Sequence, residues 1–150
     1  LIRRFGSEDL AAVCAKAFLI DPNRDSQAPY TIFQPRKHHG DEKILKAQQW
    51  LEENYGATVA IDDLAGRVGI SPRHFKRRFR KATGETPLGY LQNVRIEAAK
   101  RKLENTQENV NEITYRIGYE DSSTFRRLFK KHTGISPREY RDKFCGLKVA

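Results

Sequence analysis

Two short stretches of this sequence concentrate positive charge in a way that suits contact with a polyanion. Residues 71–84 contain Arg73, Lys76, Arg77, Arg78, Arg80 and Lys81 and no acid, and residues 122–134 contain Arg126, Arg127, Lys130 and Lys131, again with no acid. Ordinary solvent-facing helices mix signs to gain ion pairs one turn apart; these two do not. Guanidinium groups bond guanine O6 and N7 bidentately, whereas Ser and Thr make smaller, less selective contacts to base edges. A helical step of about 100° per residue puts Phe75, Phe79 and Ala82 on one side of the first stretch, and Phe125, Phe129 and His132 on one side of the second. Opposite them fall Arg73, Arg77 and Arg80, flanked by His74 and Lys76. The matching positions in the second stretch are Ser123, Arg127 and Lys130, flanked by Thr124 and Arg126. Phenylalanines at these spacings are core residues rather than groups that stack on bases. Arg78 falls nearer the core side and is expected to pair with an acid of the protein itself.

The elements that must position these faces repeat. Ile61 to Gly69 corresponds to Val110 to Gly118 at an offset of 49, and beyond each glycine Phe75, Phe79, Gly84 and Pro87 match Phe125, Phe129, Gly134 and Pro137 at an offset of 50. The added residue falls in a turn, where insertions are best tolerated. In each copy a short helix (Asp62–Val68, Asn111–Ile117) ends at a glycine suited to the left-handed conformation. A second helix then starts: Ser71 and Asp121 are good N-caps, and Pro72 fits the first helical position. Two helices joined by a short glycine-containing turn make a helix-turn-helix, the motif that lays its second helix in a major groove. Leu88 to Glu104, rich in helix formers, predicts a rod of roughly 25 Å between the copies. Arg95 on that rod either holds a phosphate or braces the two units.

The whole chain fits this organisation. Its 150 residues carry 28 Lys and Arg against 19 Asp and Glu, a net charge of +9. Hydrophobic residues make up 38%, a globular rather than disordered balance. The charge favours nucleic acid or an anionic membrane surface. The basic faces lie opposite core phenylalanines instead of an exposed apolar face, which disfavours the membrane. No apolar run approaches the ~20 residues of a span, so a cytoplasmic, nucleoid-associated protein is expected. Leu1 is not an initiator and Met is absent, so a part of a longer protein is expected.

Upstream, residues 1–20 form a predicted amphipathic helix with Leu10, Val13, Cys14, Ala17 and Phe18 as its apolar stripe. Residues 21–40, with three prolines, form a linker, and 145–150 a tail. The expected fold is therefore all-α: two helix-turn-helix subdomains (about 61–83 and 110–133) within residues 41–144, preceded by one extra helix and a connector. No cofactor or metal is expected. Cys14 and Cys145 sit near opposite ends, and His38 and His39 have no third ligand nearby. An enzyme is not expected either: Cys14 has no arranged base, and a DNA-repair methyl-transfer protein with a similar helix-turn-helix would need a reactive cysteine in a metal cluster.

Residues 42–144 resemble the DNA-binding domain of the AraC/XylS family of bacterial transcription regulators. The likeness is carried by Arg95-Ile96-Glu97-Ala98-Ala99, Leu103, Ile113, Ile117-Gly118-Tyr119, Phe125, Phe129 and the run Thr133 to Arg141. The resemblance implies seven helices in two subdomains joined by a long central helix, binding two successive major-groove segments. It implies base contacts by Arg73, Lys76 and Arg77 in the first unit and by Ser122, Ser123, Thr124, Arg126 and Arg127 in the second. With charge and position, the expected DNA-binding set is Arg73, His74, Lys76, Arg77, Arg80, Lys81, Ser122, Ser123, Thr124, Arg126, Arg127 and Lys130. Phe5 to Leu10 and Asp21 to Pro29 are similar to the tail of GlxA-type members. That likeness implies an upstream amidotransferase-like domain, through which the protein would dimerise. Sequence-specific binding to double-stranded DNA is the leading expectation, with RNA polymerase as a further partner if the regulator is an activator. A non-specific architectural DNA binder is the alternative.

Overall fold

Seven helices and no strand run through residues 31–145, the part of the chain that the computed structural model describes. They are α1 (Glu42–Asn54), α2 (Ile61–Arg67), α3 (Pro72–Thr83), α4 (Pro87–Asn105), α5 (Val110–Arg116), α6 (Ser122–Thr133) and α7 (Pro137–Phe144). The predicted helix over 1–20, the first half of the linker and residues 146–150 lie outside the described residues. No described helix is long and apolar enough to cross a membrane.

The duplication seen in the sequence is a duplication of packing. In the first unit Phe75 meets Phe79 at 5.7 Å, and Phe79 meets Tyr90 edge-on at 5.4 Å. In the second, Phe125 meets Phe129 at 5.6 Å, and Phe129 meets Tyr140 edge-on at 5.4 Å. All six rings are fully buried. Each tyrosine then donates its hydroxyl to a glutamate, Tyr90 to Glu52 and Tyr140 to Glu104, so a ring can fill the core without stranding its polar tip. Burial and the adjoining carboxylate both push these phenols well above the ordinary tyrosine value. The central helix α4 serves both units. Its first half closes the cluster containing Tyr90, Leu91 and Val94, and its second half closes the one containing Ile96, Ala99 and Leu103.

The ends of the recognition helices repeat as well. Thr83 and Thr133 are buried, and each donates its Oγ1 back to the carbonyl four residues earlier, at 2.8 Å in both cases. The same oxygens accept from the N–H of Glu85 and of Ile135. Gly84 and Gly134 follow with φ of 81° in both copies. Thr86 and Ser136 then cap the next helices by accepting from Gly89 and Glu139 N–H.

Three local expectations need correction. Ser71 occupies the N-cap position of α3, but its side chain accepts no capping hydrogen bond; only its carbonyl enters the helix, accepting from Phe75 N–H at 2.8 Å. The rod expected over Leu88 to Glu104 is one residue longer at each end, Pro87–Asn105, because Thr86 supplies the cap and Pro87 fits the first helical position. Ala82 and His132 are only half-buried, and the threonines after them occupy the core instead.

Residues 31–40, the second half of the predicted linker, run without helix along α1 and α4. The Phe33 ring meets Tyr90 edge-on at 5.4 Å, and its N–H donates to Glu97 at 3.2 Å. Buried Lys100 donates to the Thr31 carbonyl at 2.7 Å and to Glu97 at 2.8 Å. His39 Nδ1 accepts from Asp41 N–H, which leaves its ring proton on Nε2 to donate to Gln48 Oε1 at 2.8 Å. Gln48 Nε2 in turn donates to the Arg36 carbonyl. The connector is thus pinned across the helix that both units share.

Candidate nucleic-acid interface

The α3 side chains that carry charge divide cleanly into one locked group and an exposed remainder. Arg78 donates from Nε and Nη2 to the two carboxylate oxygens of Asp41, at 2.9 and 2.8 Å. The same aspartate caps α1 by accepting from Ile44 N–H. Arg78 therefore ties α3 to the start of α1, as its place near the core side predicted. Leu128 holds the equivalent position in α6.

The Arg78 hydrogen bonds, then the Ile44 N–H and the charge of Arg78, hold the Asp41 carboxyl below the ordinary aspartate value against the opposing effect of burial. The ionised carboxylate stabilises the fold fully above the unfolded value of about 3.9. That contribution is lost as pH falls through the lower folded value. In urea melts, the advantage of the wild-type chain over Asp41→Asn should be constant near neutral pH and shrink below about pH 4. An advantage unchanged under strong acid would mean that the charge plays no part.

Arg73, His74, Lys76, Arg77, Arg80 and Lys81 are all exposed. Successive steps of about 100° put these six within one broad face, opposite Phe75 and Phe79. His74 and Arg77 are joined by a 2.9 Å hydrogen bond between Nδ1 and Nη2, which orients the guanidinium. Lys76 meets Asp62 of α2 at 3.2 Å, with more than half of each side chain exposed. An acid from the neighbouring helix thus reaches the basic face, a contact not read from the sequence; its only signal was the place of Asp62 in the first turn of α2. Exposed pairs of this kind contribute little, so a phosphate could replace Asp62 at small cost.

On α6, Ser123, Arg126, Arg127, Lys130 and Lys131 are exposed, while Ser122 and Thr124 are half-buried. Asp121 accepts from Ser123 N–H, Thr124 N–H and Thr124 Oγ1, the last at 2.8 Å. The Thr124 contacts, together with the Ser123 N–H, hold its carboxyl below the ordinary value. Because the Thr124 proton is committed to Asp121, its hydroxyl has only acceptor capacity left for a partner. The two faces thus differ in chemistry. On α3 the exposed residues after Pro72 and ahead of Gly84 are all basic or titratable, whereas on α6 small hydroxyl residues precede the bases.

A family model described as a helix-turn-helix domain matches residues 64–143. The structure is similar to a transcriptional regulator with an AraC-type DNA-binding domain from Chromobacterium violaceum, with a TM-score of 0.65 and 28% identity over 69% of this chain and 93% of that one. It is similar, too, to the DNA-binding domain of AdpA, a global transcriptional factor in complex with a target DNA. There the TM-score is 0.67 and the identity 32%, over 69% of this chain and 94% of that one. The chain belongs to the AraC family of helix-turn-helix domains. Among curated relatives, the HTH-type transcriptional regulator Rv1931c of Mycobacterium tuberculosis is 44% identical over 90 residues, which are 60% of this chain and 35% of the relative. The chain spans little more than a third of the length of the curated relatives it matches. In this AraC-type domain, α3 and α6 are the second helices of the two motifs, and the exposed basic faces lie on them. The seven-helix architecture expected from the family resemblance is the one observed.

Proposed function

We propose that this AraC-type domain binds double-stranded DNA sequence-specifically, with α3 and α6 reading two adjacent major-groove segments, and that the protein regulates transcription. One observation carries the reading: each of two equivalent helices keeps its phenylalanines in a core and turns an exposed basic face outward that contains no acid of its own. A solubilising surface has no reason to repeat at matching positions. Arg73, Lys76 and Arg77 on α3 and Arg126 and Arg127 on α6 are placed to read bases or hold nearby phosphates. His74, Arg80, Lys81 and Lys130 extend the phosphate-binding margin, and Ser122, Ser123 and Thr124 make the smaller contacts at the start of α6. The likeness of Phe5 to Leu10 and Asp21 to Pro29 to GlxA-type members supports an upstream effector domain that dimerises the protein in the cytoplasm.

Selection of bound duplexes from a random pool should return a defined motif, and on it Arg77→Ala should lose about 1–3 kcal/mol and relax one base pair. An equal loss on random duplex would limit Arg77 to phosphate. A pool that shows no enrichment would make the protein a non-specific architectural binder.

A further inference from the structure

The two units are joined covalently by one helix. A 19-residue helix spans about 28 Å, which fixes the length of the connection. The side-to-side tie lies elsewhere. Tyr55, just after α1, packs against both hydrophobic clusters. Next to it, Arg95 of α4 is only 9% exposed. Its Nε donates to the Tyr55 carbonyl at 2.8 Å and its Nη2 to the Ala57 carbonyl at 3.1 Å, both in the segment leading from α1 to α2. The guanidinium carbon also lies 5.1 Å from the centre of the Tyr119 ring, in the turn between α5 and α6. Tyr119 in turn packs on Phe125 of α6 at 5.9 Å. One buried cation on the shared helix therefore grips the backbone ahead of one recognition unit and the aromatic turn of the other.

The backbones close up around it. A Cβ on Gly118 would stand 2.6 Å from the Tyr55 carbonyl oxygen and 2.8 Å from Arg95 Nη2, and one on Gly56 would stand 2.7 Å from the Arg116 carbonyl oxygen. Only glycine lets the two units approach this closely, and Gly118 also has φ of 101°. An arginine deprived of water is expensive to bury. Apolar side chains would fill the same volume without holding three specific groups in register.

We propose that Arg95 is a positioning residue that sets the separation and rotational phase of α3 and α6, and with them the spacing between the two duplex segments the protein selects. The second half of this proposal rests on the duplex-binding reading, so it is tested in two arms. The first uses no DNA. In the 150-residue chain with both native cysteines changed to Ser, spin labels are placed at Asp63→Cys on α2 and Asn111→Cys on α5, both exposed sites. The parent should give one narrow distance distribution, Arg95→Leu a broadened one, and Arg95→Lys an intermediate one.

The second arm uses duplexes carrying the selected elements at their native spacing or with roughly half a helical turn inserted, about five base pairs. The parent should prefer native spacing by about tenfold or more, and Arg95→Leu by less than about threefold, with binding to a single element unchanged. Tyr119→Leu, which keeps an apolar contact to Phe125, should reproduce the broadening and serves if Arg95→Leu does not fold. Unchanged distances and an unchanged spacing preference in a folded variant would overturn the proposal. Broadened distances in a protein that prefers no duplex at all would instead overturn the binding reading and leave the positioning role standing.

Discussion

Between about 50 and 200 mM monovalent salt, affinity for a specific duplex should fall on the order of 10³-fold. Nine basic side chains on α3 and α6 are exposed: Arg73, Lys76, Arg77, Arg80, Lys81, Arg126, Arg127, Lys130 and Lys131. Arg78 is left out because Asp41 already holds both arms of its guanidinium. If about six of the nine settle on phosphates, counterion release gives a slope near −5 in a plot of log affinity against log salt. Bases that bond guanine edges contribute less to that slope, so its value also counts how the nine divide. The steepness comes from both units together. Charge removal on α6 alone, through Arg126→Ala and Arg127→Ala, should reduce the slope by about one for each phosphate that is no longer neutralised. A slope of −1 or −2, measured by fluorescence anisotropy across a salt series, would mean that most of this face never meets the backbone.

Phe129→Ala should remove about 3–5 kcal/mol of folding stability. Phe129 is fully buried between Phe125 and Tyr140, so truncation opens a cavity among rings that are themselves held in the core. Domains of this size hold only about 5–15 kcal/mol in total, so the variant should be marginal at 37 °C. Arg127→Ala, two residues earlier and on the opposite face, should stay within about 0.5 kcal/mol of the parent in the same urea melt. The contrast matters more than either value, because it assigns one side of α6 to the core and the other to a partner. A loss below about 1 kcal/mol for Phe129→Ala would show the assignment of faces to be wrong.

The parts legible in the sequence are those governed by local rules. The second helices expected to start after Ser71 and Asp121 and to close the units near 83 and 133 are found with those bounds, because proline or a capping aspartate marks each start and a glycine marks each end. The separation of Arg78 from the other bases was also legible, since a shift of about 100° moves it off the outward face. Arg95 was narrowed to two roles, and its bonds to the Tyr55 and Ala57 carbonyls select bracing.

Long-range contacts were not legible. Lys100 has the character of a solvated helix lysine, yet it is buried and bound to Thr31, 69 positions away. The mixed charges of the proline-bearing segment fit an ordered or semi-ordered connector, but no local pattern announces this bond or the pinning of Phe33 on Tyr90. Ser71 shows the opposite failure: its position was right and its capping chemistry was not, since position depends on backbone geometry and the hydrogen bond on a rotamer.

If α3 and α6 meet one duplex together, they must leave a paired imprint on it. Hydroxyl-radical footprinting combined with guanine-methylation interference on a selected site reads that imprint. Two major-groove segments about one helical turn apart are expected, on the same side of the duplex, with interference in the α3 segment abolished by Arg77→Ala. A single protected segment, or protection spread evenly along both strands, would contradict the joint reading by the two helices.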